Sequence, residues 1–128
     1  MKVLLDTNIL LWAIIEPSRL RPEIRRLLED REHDILFSAA SIWEIAIKTA
    51  LGRADFRVSP EEILDEAVAN GFVELPVHSA AALRVATLPL HHRDPFDRLL
   101  IAQAMAEPAR FYTADAELKA YSELVTRV

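Results

Sequence analysis

The sequence predicts an α/β fold, a parallel sheet covered by helices on both faces. Strand-like runs alternate with helix-like segments along the 128 residues, the pattern of strand–helix–strand units. The runs Val3-Leu4-Leu5, Ile35-Leu36-Phe37 and Phe111-Tyr112 are continuously apolar. Strands buried on both sides look like this, whereas a strand with one wet face alternates. The segments are punctuated by proline, glycine and capping residues, with no repeat, low-complexity run or long linker between them.

In order, Lys2 to Leu5 reads as a short buried strand and Asn8 to Ile15 as a short helix stopped by Glu16-Pro17. Arg21 to Glu32 reads as a helix with Pro22 near its first turn and Ile24, Leu27 and Leu28 facing inward. Ile35 to Ser38 is a strand, and Ala40 to Leu51 a helix with Gly52 behind it. Pro60 to Asn70 starts at a capping box of Ser59 and Glu62 with proline at its first position, and Gly71 follows its end. Phe72 to Leu75 is a strand, Ser79 to Thr87 an alanine-rich helix ended by Leu88-Pro89, and Pro95 to Ala106 a helix with Asp94 as N-cap. Arg110 to Thr113 is a strand, Ala116 to Tyr121 a last short helix, and Leu124 to Val128 a fifth, edge strand. Trp12 and Trp43 lie in apolar stripes and are expected in the core.

Composition narrows the function. The chain is 52% hydrophobic and 27% charged, which describes one folded domain, residues 1–128. It has no cysteine, so disulfide scaffolds, thiolate metal sites and cysteine nucleophiles are excluded. Only two glycines occur, leaving no phosphate-cradling loop. The apolar run from Ile9 to Ile15 is far shorter than the roughly 20 residues of a membrane span. An acid at position 6 interrupts the N-terminal run too early for a signal peptide. The cytoplasm is the expected compartment, with no membrane partner. A net charge of −5 argues against a non-specific nucleic-acid coat, but not against an enzyme that works through a metal.

The chemistry lies in four acids. Asp6, Glu44, Asp97 and Asp115 each stand where a strand gives way to a helix, or within that helix's first turns. In a parallel sheet all strand C-terminal ends share one edge, and ligands bind outside it. Like charges gathered there raise each other's pKa unless a cation neutralises them, and Mg²⁺ or Mn²⁺ are the hard ions that take oxygen ligands. Each acid alone has an ordinary explanation as a helix cap or a first-turn acid. Together, embedded in apolar segments, they point to a shared site. Asp94 is also placed to share the role of Asp97. His91 and His92 read as loop residues, because zinc would want further ligands at fixed spacing. No serine has a nucleophile-elbow context. Arg93 and Arg98 flank Asp94 and Asp97, suited either to hold phosphates or to pair with those acids.

Val-Leu-Leu-Asp6-Thr7-Asn8, Ser41-Ile-Trp-Glu44-Ile-Ala-Ile-Lys48, His92-Arg-Asp94-Pro-Phe-Asp97-Arg98-Leu-Leu-Ile-Ala-Gln103 and Tyr112-Thr113-Ala-Asp115 together resemble a PIN domain, and more narrowly the VapC toxins of type II toxin–antitoxin pairs. The resemblance covers essentially the whole chain. It implies a three-layer α/β/α sandwich around a short parallel sheet and Mg²⁺- or Mn²⁺-dependent endoribonuclease activity on RNA. It also implies homodimers and inhibition by a VapB-type antitoxin. Asp6, Glu44, Asp97 and Asp115 match the family's acidic quartet, as catalytic and metal-binding residues. Thr7, Asn8 and Thr113 would orient the ligands or bind the substrate, and Arg98 would bind the substrate. Two other readings are a PIN-type nuclease of RNA processing outside toxin systems, and a non-catalytic metal-binding module of receiver type. The second wants a lysine near the last strand, where Lys119 follows Asp115 inside a short helix.

Overall fold

The computed structural model describes residues 1–52 and 57–128. Five strands form one parallel sheet in the order β3-β2-β1-β4-β5. They are β1 (Lys2–Leu5), β2 (Asp34–Ser38), β3 (Val73–Leu75), β4 (Arg110–Thr113) and β5 (Val125–Arg127). The helices are α1 (Thr7–Ile15), α2 (Pro22–Glu29), α3 (Ala39–Ala50), α4 (Pro60–Ala69), α5 (Ser79–Arg84) and α6 (Pro95–Ala106). Short 3₁₀ turns cover Pro17–Arg19, Val85–Thr87 and Ala116–Tyr121.

Side chains alternate across β1 and divide the core in two. Val3 and Leu5 face one layer with Ile9, Leu10, Ile24, Phe37, Ile45 and Ile63. Leu4 faces the other with Leu36, Leu100, Ile101, Phe111 and Leu118. Both layers are apolar, so the sheet is the middle of a three-layer α/β/α sandwich, as the sequence predicts. Leu4 is fully buried and its strand is paired on both sides. Leu4→Ala is expected to cost about 2–5 kcal/mol of unfolding free energy, read by denaturant titration.

Several boundaries differ from expectation for local reasons. Helix α2 ends at Glu29, not Glu32, because Asp30 turns the chain: its carboxylate accepts the Glu32 N–H at 3.0 Å and its carbonyl the His33 N–H at 3.1 Å. The Ser79 to Thr87 helix tightens into a 3₁₀ turn after Arg84, where Thr87 donates its hydroxyl to the Arg84 carbonyl. Pro89 then bars Leu88 from helical backbone. Phe72 stays out of β3 because its N–H closes the end of α4 on the Ala67 carbonyl. The Ser59 hydroxyl does cap α4, accepting the Glu62 N–H at 3.3 Å. Gly52 and Gly71 follow α3 and α4 with φ of 68° and 86°, a conformation that favours glycine at a helix C-terminus. Trp43 is not in the core. It is 61% exposed, with its ring edge-on to Phe96 at 5.3 Å. Trp12 packs at the rim of the first core layer under the Arg19 guanidinium.

The strand order reverses at β1. From β1 the chain builds outward through β2 and β3, then returns to the other side for β4 and β5. The crevice between the C-terminal ends of β1 and β4 is therefore the topological switch point, where α/β sheets bind ligands.

Candidate active site

Asp6 ends β1 and caps α1 at this crevice. Its backbone N–H donates to the Tyr112 carbonyl of β4 at 3.0 Å. One carboxylate oxygen accepts the Ile9 N–H at 2.8 Å, and the other accepts the Thr113 hydroxyl. The Thr113 hydroxyl in turn accepts the Asp115 N–H at 3.1 Å, tying the ends of β1 and β4 together through side chains. Asp6 is only 6% exposed. Burial pushes its carboxyl up to about 6, against the lowering effect of Thr113 and Ile9, and the charge of Glu44 raises it further.

Glu44 arrives from α3. Helix α3 starts at Ala39 with Ser38 as its cap, so Glu44 is too deep to belong to a capping box. It is buried, with Oε1 accepting the Thr7 hydroxyl at 2.7 Å and Oε2 paired with Lys48 at 2.8 Å. Asp97 sits in the first turn of α6, whose cap Asp94 accepts the Phe96 N–H at 2.8 Å and the Asp97 N–H at 3.4 Å. Burial, then the charges of Asp94 and Asp6, push the Asp97 carboxyl up to about 7. Asp115 follows β4 and caps the final 3₁₀ turn through the Glu117 N–H at 2.9 Å. The structure thus brings Asp6, Glu44 and Asp97 within electrostatic reach of one another, and hydrogen bonds link Asp115 to the same group.

The neighbours of the acids hold surprises. Thr7 and Thr113 are 5% and 0% exposed, and their hydroxyls donate to Glu44 and Asp6. They fix the acids, the ligand-orienting part that their place beside the cluster suggests. Asn8 is exposed beside Asp6. Arg98 does not pair with the acids it flanks. Its terminal nitrogens donate to the carbonyls of Pro89 (2.9 Å), Val85 (3.1 Å) and Leu88 (3.3 Å) and to the Tyr121 hydroxyl (3.0 Å). It clamps the turn that leads into α6, and pairs with no acid among the described residues. Arg98→Ala should lower unfolding free energy by about 1–3 kcal/mol, since a charged donor to three part-exposed carbonyls and a hydroxyl is lost. Lysine should not rescue it, lacking the planar fork. Thermal denaturation of both variants checks this.

His92 is the residue the sequence reading missed. It is not a solvated loop histidine: its ring lies between Asp97 (Nδ1 to Oδ2, 3.7 Å) and Asp115 (Nε2 to Oδ2, 3.2 Å). Beside the acids, a cavity of about 440 Å³ is lined by Glu44, Lys48, Arg93, Asp94, Phe96 and Leu51. A second, of about 420 Å³, lies at the opposite edge near the start of β2 and holds none of the four acids.

The PIN domain family model matches residues 3–124. The chain belongs to the PIN domain family. This PIN domain also resembles solved structures in fold. One is VapBC2 from Rickettsia felis bound to a DNA fragment from their promoter, with TM-score 0.73 and 17% identity over 100% of this chain and 98% of that one. Another is FitAcB from Neisseria gonorrhoeae, with TM-score 0.57 and 22% identity over 98% and 95%. No curated protein matches the chain.

Proposed function

We propose that this PIN domain, as the single domain 1–128, is a Mg²⁺- or Mn²⁺-dependent endoribonuclease acting as the toxin of a VapBC-type pair. The observation that carries the catalytic part is the gathering of Asp6, Glu44, Asp97 and Asp115 at the switch point. The donor set fits a hard cation. It consists of carboxylate oxygens, and two of the carboxyls are held well above their usual range by burial and mutual repulsion. A counter-ion relieves that repulsion. The toxin assignment rests on family membership, on the motifs the chain shares with VapC toxins, and on its likeness in fold to VapBC2. On the same footing, a VapB-type antitoxin, a second copy of the chain and an RNA substrate are its partners, and the cytoplasm its compartment. No helix among the described residues is long and apolar enough to cross a membrane.

Asp6 and Asp97 would hold the ion most directly, with Glu44 and Asp115 completing the site. When bound, the ion supplies a water of lowered pKa and offsets charge on the scissile phosphate. The chain supplies the rest. Thr113 and the Ile9 amide fix both oxygens of Asp6, so its carboxylate needs no reorganisation. Thr7 and Lys48 do the same for Glu44. Asp115, with its side chain 40% exposed, is the acid best placed to take a proton from an attacking water and pass it to solvent.

Purified protein incubated with total cellular RNA in Mg²⁺, in Mn²⁺ and in EDTA tests the reading. Discrete fragments that need the metal, and that are absent with Asp6→Asn and Asp97→Asn, are the expected outcome. Folded, antitoxin-free protein that cleaves nothing in either metal would overturn it.

A further inference from the structure

We infer that His92 is a positioning residue of this site, holding the Asp115 carboxylate in place through its Nε2–H. The inference rests on the metal-site reading above and adds a residue outside the quartet.

The tautomer decides the role. The Asp94 N–H points at His92 Nδ1 at 3.2 Å, so Nδ1 is an acceptor. A neutral imidazole carries one proton, which must then sit on Nε2. Nε2 lies 3.2 Å from Asp115 Oδ2, within hydrogen-bond reach, whereas the 3.7 Å gap from Nδ1 to Asp97 is too long. His92, Asp115 and Glu117 each offer a ligand atom within 4.8 Å of the others. Yet an Nε2 that carries the proton has no lone pair for a cation. The histidine acts on the ion's ligand and not on the ion.

The seat of the ring supports this. The His92 N–H donates to the Tyr121 hydroxyl at 2.8 Å, and that hydroxyl reaches back to the His92 carbonyl at 3.3 Å. Tyr121 ends the same 3₁₀ turn that Asp115 caps. Asp115, the turn, Tyr121 and His92 therefore form a closed ring. Arg98 of α6 braces Tyr121 from outside that ring. Asp115 is the most exposed acid of the quartet, and its other partner, the Glu117 N–H, holds only one oxygen and leaves the second free to turn. The ring removes that freedom. Partners of this kind, donating to a metal's carboxylate ligand, orient it before the metal arrives.

Two measurements test the role without RNA. In the metal-free protein, imidazole ¹⁵N spectra should show His92 as the Nε2–H tautomer, and the Nδ1–H tautomer would overturn the proposal. In a Mn²⁺ titration followed by the EPR signal of free ion, His92→Ala should weaken binding about 10-fold. His92→Gln, whose amide N–H reaches where Nε2–H does, should restore most of it. Tyr121→Phe should weaken binding less, in the same direction. Wild-type affinity in His92→Ala, beside lost binding in Asp6→Asn, would sink His92 alone. A ¹⁴N coupling on bound Mn²⁺ that vanishes in His92→Ala would make the histidine a ligand and also refute the role. Equal Mn²⁺ affinity in wild type and Asp6→Asn would instead refute the metal-site reading, while the tautomer remained a separate result.

Discussion

Asp6→Asn is expected to lose at least about 100-fold in metal-dependent RNA cleavage, because loss of a metal ligand should exceed the 10–100-fold typical of an outer partner. The variant keeps the size of the side chain. Its Oδ1 can still accept the Ile9 N–H that starts α1, and its amide can donate to the Thr113 hydroxyl in place of accepting from it. The fold should therefore survive. It should even gain stability without metal at about pH 8, since a buried carboxylate pushed up to about 6 is ionised there at a cost. Measuring cleavage in Mn²⁺ and unfolding in EDTA on the same preparation separates the two effects. Wild-type cleavage would remove Asp6 from the metal site. A large loss of stability would show that the carboxylate holds the fold and not the metal.

That opposition between stability and function explains why the acids were legible in the sequence. A carboxylate at the end of a buried strand is costly, so its presence after Val3-Leu4-Leu5 calls for a reason. The strands were legible for the complementary cause: runs buried on both faces have no polar alternation to blur them. The helix starts were carried by local chemistry, as Ser59 and Asp94 show by capping α4 and α6 as their positions predict. What the sequence did not reveal depends on residues far apart. Tyr121 meets His92 across 29 residues, and Arg98 meets Val85, Leu88 and Pro89 across a turn whose path no periodicity encodes. Each looks ordinary alone: a histidine in a loop, an arginine among acids, a tyrosine on a short helix. Trp43 misled for a related reason. Its apolar neighbours Ile42 and Ile45 point toward the first core layer, but Trp43 lies on the face of α3 that turns to solvent.

The stability of the metal-free protein is expected to fall, not rise, between about pH 5 and about pH 8. Asp97 is raised from 3.8 to about 7 and Asp6 from 3.8 to about 6. In this window the unfolded chain has already released both protons, while the fold still binds them at the lower end. The fold holds more protons than the unfolded chain, so stability is full below the unfolded pKa and drains away as pH climbs through the folded values. At about 1.4 kcal/mol for each pH unit between those values, and with a discount for the partial exposure of Asp97, the fall is about 3 kcal/mol. Metal reverses the trend. A divalent ion binds only the ionised acids of the folded chain, so it stabilises by mass action at about pH 8 and does little at about pH 5, where protons compete. Denaturant titrations at the two pH values, with EDTA and with Mn²⁺, make four curves that must obey this order. Asp97→Asn should flatten most of the slope in EDTA. Stability that rises with pH in EDTA would mean that burial does not hold the two carboxyls above their usual range. An equal gain from Mn²⁺ at both pH values would mean the ion binds somewhere else.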